Sequence, residues 1–136
     1  AWLWSDGKAF EDGEDGFIQA IHDYISEWFS DADEKRLAYA RDVSARLLGL
    51  YPKSVIACND SAVAYARLGD LENAEKAFLR AYTLDGNDFI VIANLAYINE
   101  VKGDKEKAIG YYELMLKSGN KQIVDRANRR LADLRK

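Results

Sequence analysis

A self-similarity of 34 residues constrains this chain more than any other feature. Gly69 and Gly103 stand 34 apart, and so do Ala62 and Ala96, Ala74 and Ala108, and Phe78 and Tyr112. A fixed period of this length marks a stacked helical array. Each unit is a helical hairpin that cannot bury its apolar face alone, so neighbouring hairpins must stack on one another. A chain built this way presents an extended surface for interaction rather than a pocket built for catalysis.

The pattern between the repeated positions supports helices throughout. With one proline, Pro52, the rest of the chain is free to form them. Residues 1–16 are rich in Gly and Asp and read as an acidic, aromatic N-terminal arm carrying Trp2, Trp4 and Phe10. From Phe17 the apolar residues Ile18, Ile21, Tyr24, Ile25, Trp28 and Phe29 recur at steps of three and four, as in an amphipathic helix. Asp31 and Asp33 offer caps for a helix over 34–50, and Pro52 stops it. Ser54 caps the next helix, over 55–68. Gly69 supplies a left-handed turn, and Asp70 caps a return helix that ends at Asp85-Gly86-Asn87. The same plan recurs over 89–102 and 105–117, with Gly103-Asp104 between. A last helix over 121–135 sets Ile123, Val124, Ala127, Leu131 and Leu134 against a charged side holding Asp125, Arg126, Arg129, Arg130 and Asp133. One apolar and one charged face suits a terminal capping helix.

Charge is unevenly spread. Residues 1–35 hold ten acidic residues against Lys8 and Lys35, whereas the remainder holds 13 acidic and 17 basic residues. The simplest reading is a solvated acidic arm. Head-to-tail self-association of the acidic and basic ends is the alternative. The chain as a whole is acidic, with net charge −4, which argues against nucleic acid as a partner. No apolar run approaches a membrane span, so membrane insertion is not expected. The lone Cys58 excludes an internal disulfide. A cytoplasmic location is the expectation, or a periplasmic one if a signal peptide or other upstream segment preceded Ala1.

The residues quoted above resemble the tetratricopeptide repeat family. The likeness is strongest in the AYARLGDLENAEKAFLRA run, Ala64 to Ala81, in NLAY, Asn94 to Tyr97, and in GDKEKAIGYY, Gly103 to Tyr112. Ala62, Ala96, Ala74 and Ala108 fit the family's small positions, and Tyr65, Phe78 and Tyr112 its aromatic ones. Asn99 and Met115 depart from the pattern. One period back, Ala40 and Pro52 fit but Ser44 takes an aromatic slot, so the first repeat is degenerate. The resemblance implies an all-α, right-handed helical solenoid: three hairpins (about 21–54, 55–88 and 89–122) and a capping helix (121–135), within a domain over 17–136.

It also implies a function. In proteins of this kind the first helix of each hairpin lines a concave groove that binds a peptide or protein partner. Carried over, the groove residues are Ile56, Asn59, Val63 and Arg67 from one repeat, and Ile90, Ala93, Asn94, Tyr97 and Val101 from the next. Val124, Ala127 and Asn128 follow from the last helix. Asn94 matches one residue of the carboxylate clamp found in some relatives, but Asn59 and Ala93 stand where a lysine would help. A role as an auxiliary domain of a larger regulatory or enzyme chain is a further alternative.

No catalytic or cofactor motif appears. The sequence lacks a glycine-rich phosphate loop, a serine-nucleophile elbow and paired catalytic carboxylates. The Asp12–Gly16 segment looks like part of a calcium loop but lacks its alternate-ligand spacing. The single His22 has no second His or Cys nearby for zinc, so it reads as a surface or interface residue. The expectation is a non-catalytic module that needs no cofactor and no metal.

Overall fold

The computed structural model describes residues 13–29 and 33–136; Trp2, Trp4, Phe10 and Asp31 lie outside the described residues. Seven α-helices occur among the described residues: α1 (Gly13–Phe29), α2 (Glu34–Leu50), α3 (Val55–Arg67), α4 (Leu71–Leu84), α5 (Phe89–Lys102), α6 (Lys105–Met115) and α7 (Lys121–Leu134). Each helix packs on the next in sequence, and α1 also packs on α3. The result is the all-α helical solenoid that the period implies.

Short polar side chains set the helix starts. Asp33, Ser54, Asp70, Asp88, Asp104 and Asn120 each sit at an N-cap and accept a bond from a first-turn amide. These caps satisfy donors that have no partner inside the helix. α1 begins at Gly13, earlier than its apolar periodicity, and so takes in the end of the acidic segment.

The two clear hairpins turn identically. Gly69 and Gly103 both have φ +87°, and the amides after them bond back five residues, Asp70 to Tyr65 and Asp104 to Asn99, each at 2.9 Å. Only glycine takes this left-handed conformation without a steric penalty.

The repeated small residues let the helices approach. Ala62, Ala74, Ala96 and Ala108 have no exposed surface. Phe78 fills the space between α3, α4 and α5 beside Leu95 and Ile98. Tyr112 fills the equivalent space one period on, beside Ala108, Ala127 and Leu131. Met115 is fully buried in that second cluster. Its bulk packs against Ala127 and Leu131 of α7, in the same cluster.

The degenerate first hairpin keeps the logic with different side chains. Ala40 is fully buried against Ile25 and Ala64, while Ile18 joins Leu47 and Ala57 in a neighbouring cluster. Ser44, at the aromatic slot, is buried and donates to the Arg41 carbonyl at 3.0 Å. Tyr24 departs from its expected place on the apolar stripe: it is 53% exposed and stacks edge-on against Trp28.

Two partly buried polar groupings tie the solenoid together. The Tyr112 hydroxyl donates to Glu100 Oε2 at 2.7 Å, and Arg130 on α7 donates to both oxygens of the same carboxylate. Burial alone would raise the Glu100 carboxyl, but the bonds from Arg130 and Tyr112 outweigh it and hold it below the usual range. Burial, reinforced by the Glu100 bond, pushes the Tyr112 hydroxyl up to about 12. At the other end His22 Nδ1 lies 2.8 Å from both oxygens of Asp60, joining α1 to α3.

Candidate binding groove

The odd-numbered helices α3, α5 and α7 position a continuous furrow. It consists of two depressions that meet at Asn94. One, of about 490 Å³, lies where the first half of α5 faces α7; its walls include Ile90, Ala93, Asn94, Gln122, Arg126 and Arg129. The other, of about 380 Å³, lies where the second half of α5 faces α3; its walls include Val63, Arg67, Asn94, Tyr97 and Val101 over a floor of Phe78.

Asn94 is the pivot. Its Nδ2 donates to Asn59 Oδ1 at 2.9 Å, so the two groove amides are bonded to each other across adjacent repeats. The bond fixes both side chains in place. An amide carries two donors and an acceptor with two lone pairs, so Asn94 keeps one N–H and its carbonyl for another partner.

Three large apolar side chains of the walls are exposed along one helix. Ile90, Tyr97 and Val101 are 64%, 56% and 51% exposed. Their spacing along α5 is seven and four residues, which places them on one helical face. By contrast Ala93 between them is nearly closed off, at 9% exposure.

The sequence-based groove residues fall into two groups. Val63, Arg67, Ile90, Ala93, Asn94, Tyr97 and Val101 border the depressions. Ile56 instead packs towards α1, against the cluster of Ile18, Leu47 and Ala57. Asn59 contributes through its bond to Asn94. On α7 the expected face is displaced. Ala127 is fully buried in the core, and the residues bordering the groove are Gln122, Ile123, Asp125, Arg126 and Arg129. Read from sequence, this charged side looked like the solvent face of a cap. The helix docks so that part of its charged side flanks the furrow.

Asp60 was not anticipated at all. It sits one residue after Asn59 with 1% exposure. Burial raises its carboxyl, the hydrogen bond and charge of His22 lower it, and Asp23 raises it again, leaving it above the usual range. His22 is therefore a partner for a buried acid rather than a plain surface residue. No signal of spacing links two residues 38 apart on different helices.

Cys58 is buried, and burial pushes its thiol up against a smaller opposing pull from Arg80. A raised thiol is a poor nucleophile. Among the described residues no cluster of three or more His, Cys, Asp or Glu is arranged to hold a metal, and no helix is long and apolar enough to cross a membrane.

Comparison with known proteins agrees with this architecture. The tetratricopeptide repeat model matches residues 55–88. Among solved structures, the chain is similar to the second TPR domain of the human RPAP3 protein, determined by NMR in complex with the HSP70 peptide SGPTIEEVD. The TM-score is 0.70 at 24% identity, and the match covers 91% of this chain and 99% of that one. No curated protein sequence matches the chain.

Proposed function

We propose that this chain, which carries a tetratricopeptide repeat at residues 55–88 within a tetratricopeptide-like helical solenoid, is a non-catalytic module that binds a segment of a partner protein in the furrow of α3, α5 and α7. The observation that carries this reading is the exposure of Ile90, Tyr97 and Val101 along one face of α5, beside the Asn94–Asn59 pair. Exposed apolar side chains rimmed by polar groups are the anatomy of an interaction site. Tyr97 offers apolar area with a polar tip, and Asn94 can bond a backbone amide or carbonyl. The similar domain of RPAP3 binds a peptide, which supports the same use of the fold here.

The test is capture from a cell lysate of the source organism with wild type beside a Tyr97→Ala/Val101→Ala variant. Both side chains are more than half exposed, so the variant keeps its fold, as far-UV circular dichroism would verify. The expected result is a protein retained by wild type and lost by the variant. Equal retention by both would refute groove binding.

A further inference from the structure

The groove is lined by cations that the fold does not use. Arg126 and Arg129 border one depression and Arg67 the other. None of the three has an ion-pair or hydrogen-bond partner among the described residues. By contrast Arg130 is engaged by Glu100 and Asp133, Arg135 by Glu113, and Arg80 by the Pro52 carbonyl, whereas Arg46, away from the groove, is unpartnered as well. On α7 this is a sorting by helical angle. Arg130 turns back to lock the helix onto α5, whereas Arg126 and Arg129, three residues apart on a neighbouring face, turn to the furrow. Against these three guanidiniums the two linings hold one carboxylate, Asp125, next to Arg126. The whole chain is net negative at −4, so the groove reverses the sign of the protein around it. Apolar walls beside the charges focus that local field.

We propose that the groove's occupant is an acidic, extended segment of a partner protein, with one side-chain carboxylate reaching Arg126 and Arg129, another reaching Arg67, and an apolar side chain between them against Ile90 and Tyr97. This rests on the groove reading above and adds the chemistry of the partner. The α5 wall shared by the two depressions gives the length of the segment. From Ile90 to Val101 along α5 is about 16 Å at the helical rise of ~1.5 Å per residue. An extended chain covers that in roughly five residues at ~3.3 Å each. Arginine presents a planar fork of donors that matches a carboxylate, so all three sites suit aspartate or glutamate. The recognised groups lie within the segment, so no free chain terminus is required.

The experiment uses the whole chain and synthetic octapeptides, acetylated and amidated to remove terminal charge. Glu or Gln occupies two positions five residues apart, with Leu or Ser between them. Fluorescence anisotropy reads the affinity. The Glu/Leu peptide is expected to bind about five- to ten-fold tighter than the Gln/Leu peptide, an advantage that shrinks with added salt. Arg126→Gln/Arg129→Gln should remove most of that advantage while leaving the Gln/Leu peptide unchanged. All three arginines are exposed, so their substitution spares the core. Equal binding of Glu and Gln peptides, or a preference that survives the arginine variant, would overturn the proposal. If that binding is still abolished by Tyr97→Ala, the groove reading stands and only the acidic partner fails. If no peptide of the set binds, the acidic-segment proposal fails, and the lysate capture with Tyr97→Ala/Val101→Ala decides the groove reading separately. A sedimentation mass that rises with concentration, and ceases to rise in the arginine variant, would place a second copy in the groove and overturn the proposal.

Discussion

Tyr112→Phe isolates the bond that holds the capping helix to the solenoid. The ring is 1% exposed and stays in place in the variant, so packing is preserved and only the hydroxyl is lost. That hydroxyl donates to Glu100 Oε2 at 2.7 Å, and Glu100 also receives Arg130 from α7. A hydrogen bond to an ionised group contributes about 1.5–3 kcal/mol. The Glu100 side chain is 18% exposed and can recruit water, so the lower end, about 1.5 kcal/mol, applies. For a domain of this size that corresponds to a melting temperature lower by roughly 5 °C. The pH dependence has a definite sign. Glu100 titrates below its unfolded value in the native state, so its contribution is present above that value, about pH 4.3, and is lost as pH falls through the depressed native value. The gap between wild type and Tyr112→Phe should therefore be full at neutral pH and should shrink in acid. Differential scanning calorimetry at about pH 7 and in steps downward from about pH 4.3 reads both quantities. A neutral-pH gap under about 1 °C, or a gap that stays constant down to the acid limit of folding, would refute the reasoning, since a real bond to the carboxylate gives several degrees.

Other substitutions probe the remaining links. Ala74→Leu or Ala108→Leu adds bulk where no surface is exposed, and each should cost about 1–3 kcal/mol by urea denaturation; unchanged midpoints would contradict the repeat register. Gly103→Ala forces an L side chain into φ +87° and should cost about 1 kcal/mol, whereas Gly119→Ala in the turn before α7 meets no heavy atom within 4 Å and should be near neutral. His22→Ala leaves the buried Asp60 carboxylate without its partner, at a cost of about 2 kcal/mol, discounted because His22 is a third exposed. Asp60 titrates above its unfolded value, so its ionised form is a burden above that raised native value and is relieved as pH falls through it. The His22→Ala penalty should thus be largest near neutrality and smaller in acid, as thermal melts across that range would show.

What the sequence made legible is what local spacing determines. Gly69 and Gly103 announced the hairpin turns because few other residues adopt their backbone conformation. The repeated alanines announced the close helix contacts because a stack repeats its neighbours' packing at a fixed interval. What stayed hidden depends on how helices rotate against each other. Arg126, Arg129 and Arg130 read as one charged side, yet Arg130 binds Glu100 30 residues away while the other two border the groove. A small rotation of α7 about its axis decides that division, and no periodicity encodes it. Nothing in the spacing marks Asp60 of α3, because its partner His22 arrives from α1, 38 residues away. Ile56 fitted the groove by register, but α1 packs on α3 and claims it. The groove was most readable where two full repeats meet, and least readable where α1 and α7 close the ends.

A partner segment lying along α3, α5 and α7 would leave its contacts on those helices. Amide chemical-shift mapping of the isotope-labelled chain, titrated with the Glu/Leu octapeptide, tests it residue by residue. Perturbations should concentrate at Val63, Arg67, Asn94, Tyr97, Val101 and Arg126, with smaller ones at Phe78 on the groove floor and none on the outer faces of α4 and α6. Perturbations centred on those outer faces, or a spectrum unchanged at saturating peptide, would contradict it.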